Sequence, residues 1–356
     1  MQIVKKSNVL LVSSGGLGDA MLFSLMIPYY KKLLKSNEHL TVLCRSGAEA
    51  VQFLFPSDVD FVTVDYRRFI RDIFYRYKIC RQLRQRQFRV AISTDHLRLP
   101  TVDDKLIFAT RALEKYAMIP RTWPKHDEAL EKNKKNYTRL IPVTTDRAHR
   151  IVRWTELINE LLGENRSLPT VRFSEVIKNP RILDQPTIVL HPFSSVKERQ
   201  CSVSLFQDIL KKIPSDYAVV LSSGPGDLEK NPDYKVLLND TRVRVDESSI
   251  ESKAALYAAA TCVFAVDTSM LHLAIGVGAQ TIGLLSAAHL LESVPYDPRT
   301  TPDNVTFIYK SMPCAGCLGA CIYPLQQGRY RCVDELTIDK INIGSNLAYT
   351  DRSVSH

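Results

Sequence analysis

The apolar residues of this chain come in short unbroken runs, and between the runs they change to a spacing of three and four. Runs without polar alternation fit strands covered on both faces, and the wider spacing fits helices with one buried side. In the first half the runs fall at 8–13, 40–44, 61–64 and 89–93. A helical pattern at 20–34 carries Met21, Leu25, Ile27 and Tyr30 on its apolar side, and another at 147–162 stops at Gly163. In the second half the runs fall at 187–191, 217–222, 262–266 and 281–285. They alternate with helical patterns near 204–212 and 250–260, and with a helix opened by Thr268 and Ser269 whose apolar side is Leu271, Ala274 and Ile275. A polar stretch at 166–185 separates the two alternations, with Pro169, Pro180 and then Pro186 as turn signals. Strand–helix alternation builds parallel sheets wrapped by helices. The pattern therefore predicts an α/β chain of two doubly wound, Rossmann-like domains facing across a cleft, 1–170 and 171–340, with a polar tail at 341–356.

Length agrees, since 356 residues exceed what one compact core usually holds. With 45% hydrophobic and 24% charged residues the composition is that of a globular protein. No apolar run approaches the ~20 residues of a membrane-crossing helix. The start, MQIVKKS, is basic, but the apolar run behind it is short and leads into glycines. It reads as a strand rather than a secretory signal, and the expected compartment is the cytoplasm.

Charge is concentrated. The segment 67–89 holds nine Lys or Arg and one acid, Asp72, and so carries eight of the nine net positive charges of the chain. Ile70, Ile73, Phe74, Tyr77 and Cys80 recur within it at helical spacing. The segment is either a basic amphipathic helix for an anionic membrane surface or a core-packed helix with a solvated basic face. Recognition-helix and base-stacking signatures are absent, which argues against nucleic acid as the partner.

Two segments carry candidate chemistry. The first is Gly15-Gly16-Leu17-Gly18-Asp19, directly after the 8–13 run. Gly15, Gly16 and Gly18 let a ligand approach the backbone, but their spacing is not the dinucleotide fingerprint. Asp19 is either a helix cap or a base at the mouth of a cleft. The second is 266–285, where a strand ends at Asp267 and a helix begins at Thr268 and Ser269, a hydroxyl-capped start suited to an anion. Ser194 and Ser195, with the cations Lys197 and Arg199, follow the 187–191 strand and suit a phosphate. Asp227, or Glu229, could accept from ribose hydroxyls, or simply close a turn. Asp95 and His96 follow the 89–93 strand. Four of the eight cysteines, Cys314, Cys317, Cys321 and Cys332, give C-x2-C-x3-C-x10-C. They are either buried thiols or a tetrahedral zinc or iron site.

The motifs GGLGD at 15–19, HPFSS at 191–195 and DTSMLHLA at 267–274, in that order, resemble glycosyltransferase family 9, the ADP-heptose:lipopolysaccharide heptosyltransferases. The resemblance spans roughly 7–340. It implies a GT-B fold, with the acceptor on the N-terminal domain and the nucleotide sugar on the C-terminal one. It implies an inverting transfer of heptose, or a related sugar, to a lipopolysaccharide core at the inner membrane, with ADP-heptose as donor and no cofactor required. In that frame Asp19 is the base, and Ser194, Ser195, Lys197, Arg199, Asp227, Asp267, Thr268, Ser269, Met270 and His272 line the donor site. Arg199 stands at the position of the family's lysine, while Gln200, Cys201 and Ser202 replace the residues around its Trp-Pro, which leaves base and sugar identity open. Relatives carry a similar cysteine cluster, and a looser one holds iron in autotransporter heptosyltransferases. The remaining alternatives are a GT-B-like nucleotide-sugar epimerase and a non-catalytic, membrane-associated nucleotide or lipid binder.

Overall fold

The computed structural model describes residues 8–145, 147–173 and 181–338. The expected tail at 341–356 and part of the linker lie outside these residues. The chain divides into two units between Pro169 and Thr170.

In the first unit six strands form one parallel sheet: β1 (Asn8–Ser13), β2 (His39–Arg45), β3 (Asp60–Val64), β4 (Phe88–Ser93), β5 (Glu114–Met118) and β6 (Arg139–Ile141). Their order is β3-β2-β1-β4-β5-β6. The second unit repeats the plan with β7 (Thr187–His191), β8 (Ala218–Ser222), β9 (Val243–Asp246), β10 (Cys262–Val266), β11 (Thr281–Leu285) and β12 (Val305–Tyr309). Their order is β12-β11-β10-β7-β8-β9. In both sheets the chain starts in the middle, runs to one edge, and returns to the other side of the first strand. The switch points therefore lie between β1 and β4 and between β7 and β10, where such sheets open a crevice at their carboxyl ends. This is the two-domain α/β architecture expected from the alternation.

Each unit has its own core. Leu10, Val12, Leu43, Phe69, Leu83, Ala91 and Leu106 belong to one buried cluster, and Ile188, Leu190, Phe206, Phe264 and Leu284 to another. The helix Arg150–Leu162 ends on a left-handed Gly163. It buries Trp154, whose indole N–H donates to the Thr94 carbonyl at 3.0 Å and whose ring meets Phe23 edge-on.

One sequence expectation needs correction, four strands are added to those expected, and one open choice is narrowed. The 20–34 pattern is not one helix but Leu17–Ser24 followed by Ile27–Tyr30 and a tight turn at Lys31–Leu33. Pro28, which lacks an N–H, sits in the first turn of the second piece and cannot continue the first. The strands β5, β6, β9 and β12 were not read from the sequence: all lie at or next to an edge, three bury only part of their length, and β12 has no fully buried residue. In the basic segment, Ile70, Ile73, Phe74 and Tyr77 do not face the core; all four are exposed.

Candidate active site

In the first unit the switch point is a knot of carboxylates. Ser14, just past β1, donates its N–H at 2.6 Å and its hydroxyl at 2.8 Å to one oxygen of Asp95, just past β4. The same hydroxyl lies 3.2 Å from Asp103. Asp103 also accepts from the Tyr66 hydroxyl at 2.7 Å and the Leu99 N–H at 2.5 Å. Both carboxyl groups are buried. Burial raises the Asp95 pKa against the pull of Arg150 and Ser14. Burial, and then the neighbouring Asp95 charge, push Asp103 up to about 7. His96 goes the other way, down to about 4, because burial and then Arg153 and Arg121 disfavour its cation.

Asp19 stands at the rim of this knot, in the first turn of Leu17–Ser24. One oxygen accepts from the Gly16 N–H at 2.8 Å, which is half of a capping box. The other is 2.9 Å from the Arg150 guanidinium, which also reaches Asp95 at 3.2 Å. Gly15 is required by its position: a Cβ there would meet the Asp19 Cβ at 2.5 Å. Asp19 is thus both cap and ion-pair partner, and it remains about one-fifth exposed.

In the second unit the switch point joins the segment after β7 to the end of β10. His191 anchors the first of these. Its Nδ1 lies 3.0 Å from the Ser222 carbonyl, and burial holds its pKa down to about 4, so it ties β7 to β8 as a neutral ring. Beyond it, Lys197–Arg199 forms a single tight turn that points Arg199 at Asp267, 3.6 Å away, whereas Lys197 and Ser195 are exposed. Ser194 spends its hydroxyl on the Val196 N–H at 3.2 Å. Asp267, nearly buried, also accepts from Ser286 at 3.4 Å. Thr268 occupies the cap position of the helix Ser269–Gly276, but its hydroxyl makes no capping bond, contrary to expectation. That hydroxyl and the Arg199 Nε are buried atoms without a hydrogen-bond partner among the described residues. Met270 and His272 are buried, and His272 Nδ1 lies 2.6 Å from the Tyr296 hydroxyl, with the rings stacked. Tyr296 has its pKa raised by burial and by the nearby Asp267 charge. Asp227 is tied into its own turn: one oxygen accepts from the Gly224 N–H at 2.6 Å, and Gly226 takes a left-handed φ of 77°.

No family model matches the chain, and no curated protein matches it. Solved structures do. The glycosyl transferase family 9 protein of Veillonella parvula DSM 2008 aligns with a TM-score of 0.68 at 13% identity, over 96% of this chain and 97% of that one. The ADP-heptose lps heptosyltransferase II of E. coli aligns with a TM-score of 0.66 at 13% identity, over 97% and 99%. The E. coli heptosyltransferase WaaC, solved with ADP-2-deoxy-2-fluoro heptose, aligns with a TM-score of 0.64 at 17% identity, over 84% and 92%. The chain has the GT-B fold.

Within that fold, Arg199, Asp267, Thr268, Met270 and His272 of the expected donor residues gather at one switch point; Ser195 and Lys197 stay at the surface and Asp227 closes a loop. Sequence reading missed Ser14, Asp103, Arg150, Ser286 and Tyr296, none of which sits in a motif.

The four clustered cysteines lie near one another: burial and then the neighbouring Cys317 and Cys321 raise the Cys314 pKa, and Cys332, raised mainly by burial, feels all three. Among the described residues no group of three or more His, Cys, Asp or Glu is positioned to hold a metal ion. The segment also braces the loops at the second switch point. Cys332, buried, accepts from the Ala287 N–H at 3.3 Å, next to Ser286. The Gly316 N–H donates to the Ala287 carbonyl at 2.7 Å, and the Tyr330 N–H to the Glu198 carbonyl at 2.8 Å, next to Arg199.

Proposed function

We propose that this chain is an inverting glycosyltransferase that moves a heptose, or a related sugar, from a nucleoside-diphosphate sugar to a lipopolysaccharide core acceptor. The observation that carries the reading is the pair of unsatisfied buried atoms, Thr268 Oγ1 and Arg199 Nε, beside a helix N-terminus at the second switch point. A buried donor left unpaired costs ~1–3 kcal/mol, and a diphosphate offers the acceptors both atoms lack. Negative charge grows on the leaving diphosphate during transfer, so a fixed guanidinium and helix-end N–H groups lower that barrier. Asp267 keeps Arg199 oriented toward the crevice. His272 and Tyr296 wall the site beside it.

For the acceptor half, Asp19 is proposed as the general base. An inverting displacement needs one base to take the hydroxyl proton as the oxygen attacks the anomeric carbon, and no covalent relay. Arg150 holds the carboxylate in place through their ion pair. The two solved E. coli heptosyltransferases support ADP-heptose as the first donor to test. Attachment to an inner-leaflet membrane surface through the basic helix, from the cytoplasmic side, belongs to the same proposal. No helix among the described residues is long and apolar enough to cross a membrane. A metal held by the cysteines is a separate proposal. Elemental analysis of fresh protein decides it, with neither zinc nor iron ending it.

The test is a thermal-shift screen of ADP-, GDP-, UDP- and CMP-sugars, followed by donor consumption with and without a lipopolysaccharide acceptor. A site at 100 times its Kd adds ~2.7 kcal/mol of stability, so the right donor stands out. Turnover without acceptor would favour an epimerase. Binding without turnover would favour a non-catalytic binder.

A further inference from the structure

Two short helices, Tyr66–Arg71 and Ile73–Gln85, meet at Asp72. Asp72 closes the first and opens the second: its N–H donates to the Arg68 carbonyl at 2.7 Å, and its carboxylate accepts from the Tyr75 N–H at 2.9 Å. The corner is therefore fixed, and what it exposes is not fraying. One side packs inward through Phe69 and Leu83, with Tyr75 and Ile79 against the same core. The outward side carries Ile70 at 51%, Ile73 at 62%, Phe74 at 83% and Tyr77 at 67% exposure. Ile73 and Tyr77 lie one turn apart, and the same line along the helix continues into Arg81 and Arg84, both exposed.

We propose that this corner docks on an anionic lipid bilayer, with Ile70, Ile73, Phe74 and Tyr77 inserted at the headgroup boundary and the arginines of the second helix on lipid phosphates. Four large apolar side chains at one fixed apex are more than scattered surface residues. Aromatic and aliphatic groups at the tip with cations behind them match the layering of an interface, where an apolar tip sinks and basic stems stay with the phosphates. The single sign of charge selects an anionic surface. The corner follows β3, so it lies at the same carboxyl edge of the sheet as Ser14, Asp95 and Asp19. Tyr66, at its base, bonds Asp103 in the carboxylate knot at 2.7 Å. Docking would thus bring the acceptor-side site to the lipid surface. The inference deepens the membrane part of the proposed function and rests on it for why a lipid surface is needed.

The experiment is flotation with vesicles of phosphatidylcholine alone or mixed equally with phosphatidylglycerol, using the whole chain. Wild type should bind the mixed vesicles and hardly the neutral ones. Phe74→Ser with Tyr77→Ser should weaken that binding roughly tenfold or more, as should Arg81→Glu with Arg84→Glu. Leu113→Ser, another exposed apolar position outside the corner, should bind as wild type does. Phe74→Trp should shift its emission to the blue on mixed vesicles and be quenched by brominated acyl chains. Binding that survives loss of Phe74 and Tyr77 and shows no quenching overturns insertion. So does a concentration-dependent dimer that the same pair of substitutions dissolves. Nucleotide binding, measured in solution on the same proteins, reports separately on the transferase reading: its absence from wild type sinks that reading while the vesicle result stands.

Discussion

Asp19 has two partners, and each gives it a different reason to be where it is. Accepting from Gly16 makes it a cap, and pairing with Arg150 fixes it beside the carboxylate knot. Asp19→Asn keeps the cap, so stability should change little. Transfer should fall ~10²–10⁴-fold, the usual share of a positioned base, with donor affinity unchanged in calorimetry. Near wild-type transfer in that variant would leave Asp19 as a cap only. Gly15→Ala tests the same carboxylate without touching it. The new Cβ competes for the space of the Asp19 side chain, so transfer should drop while donor binding holds. On the donor side, Arg199→Ala should weaken nucleoside-diphosphate binding about ten- to a hundredfold, since a charge-assisted contact is worth ~1.5–3 kcal/mol. Lys197→Ala should do far less, because Lys197 is exposed while Arg199 faces Asp267. A reversed ranking would mean that the crevice is entered from elsewhere.

Asp103 also makes a pH prediction. With its pKa pushed to about 7, the folded protein holds this proton more tightly than an unfolded chain with an ordinary carboxylate near ~3.9. Its contribution to stability is therefore greatest at low pH and declines as pH rises through about 7. His96 and His191, held down to about 4, act oppositely, and their contribution is lost as pH falls from ~6.5 toward about 4. The two effects partly cancel in the wild type. Asp103→Asn removes only the first, so the variant should gain on the wild type as pH rises from about 4.5 to about 7.5. Urea midpoints at both ends measure it. A difference that does not vary with pH would mean that Asp103 does not titrate in this range.

Among the elements, the cysteine-bearing segment has the least expected role. Its contacts run to Ala287 and Glu198, each next to a residue of the proposed donor crevice. Cys332→Ala leaves the buried Ala287 N–H unpaired, at a cost of ~1–3 kcal/mol. It should lower the melting temperature and weaken nucleotide binding together. Stability lost at full nucleotide affinity would confine the segment to packing. The helix Ser269–Gly276 ends with a comparable constraint. A Cβ on Gly276 would meet the Phe173 ring at 2.1 Å, and the Gly276 carbonyl accepts from the Phe173 N–H at 2.6 Å. A glycine there lets the chain entering the second unit lie against the helix that carries His272.

For the whole molecule, separate cores imply separate responses. Residues of one buried cluster all precede Thr170, and those of the other all follow it. Scanning calorimetry should resolve two transitions. A nucleoside diphosphate should raise one, Cys332→Ala should lower that same one, and Asp103→Asn should move the other. A single transition shifted by all three would mean that the units unfold as one.

What the chain determines by itself is the central framework. The runs at 8–13, 187–191, 262–266 and 281–285 became strands because a strand buried on both faces leaves an unbroken apolar word. The motifs at their ends followed, since the carboxyl edge of a strand is fixed once the strand is. Edge strands such as β6 and β9 left no such word, because half of each faces solvent. Tertiary structure alone decided which distant groups meet. Ser14 and Asp95 are 81 positions apart, and no local spacing encodes their bond. It also decided which side of Ile73–Gln85 is buried. Both sides offer apolar residues, and only the packing of Leu83 into the core left Phe74 and Tyr77 outside. The hydroxyl of Thr268 shows the same limit. Its place at a helix start was legible, but whether it caps the helix or stays open to a ligand depends on a backbone geometry that only the folded loop sets.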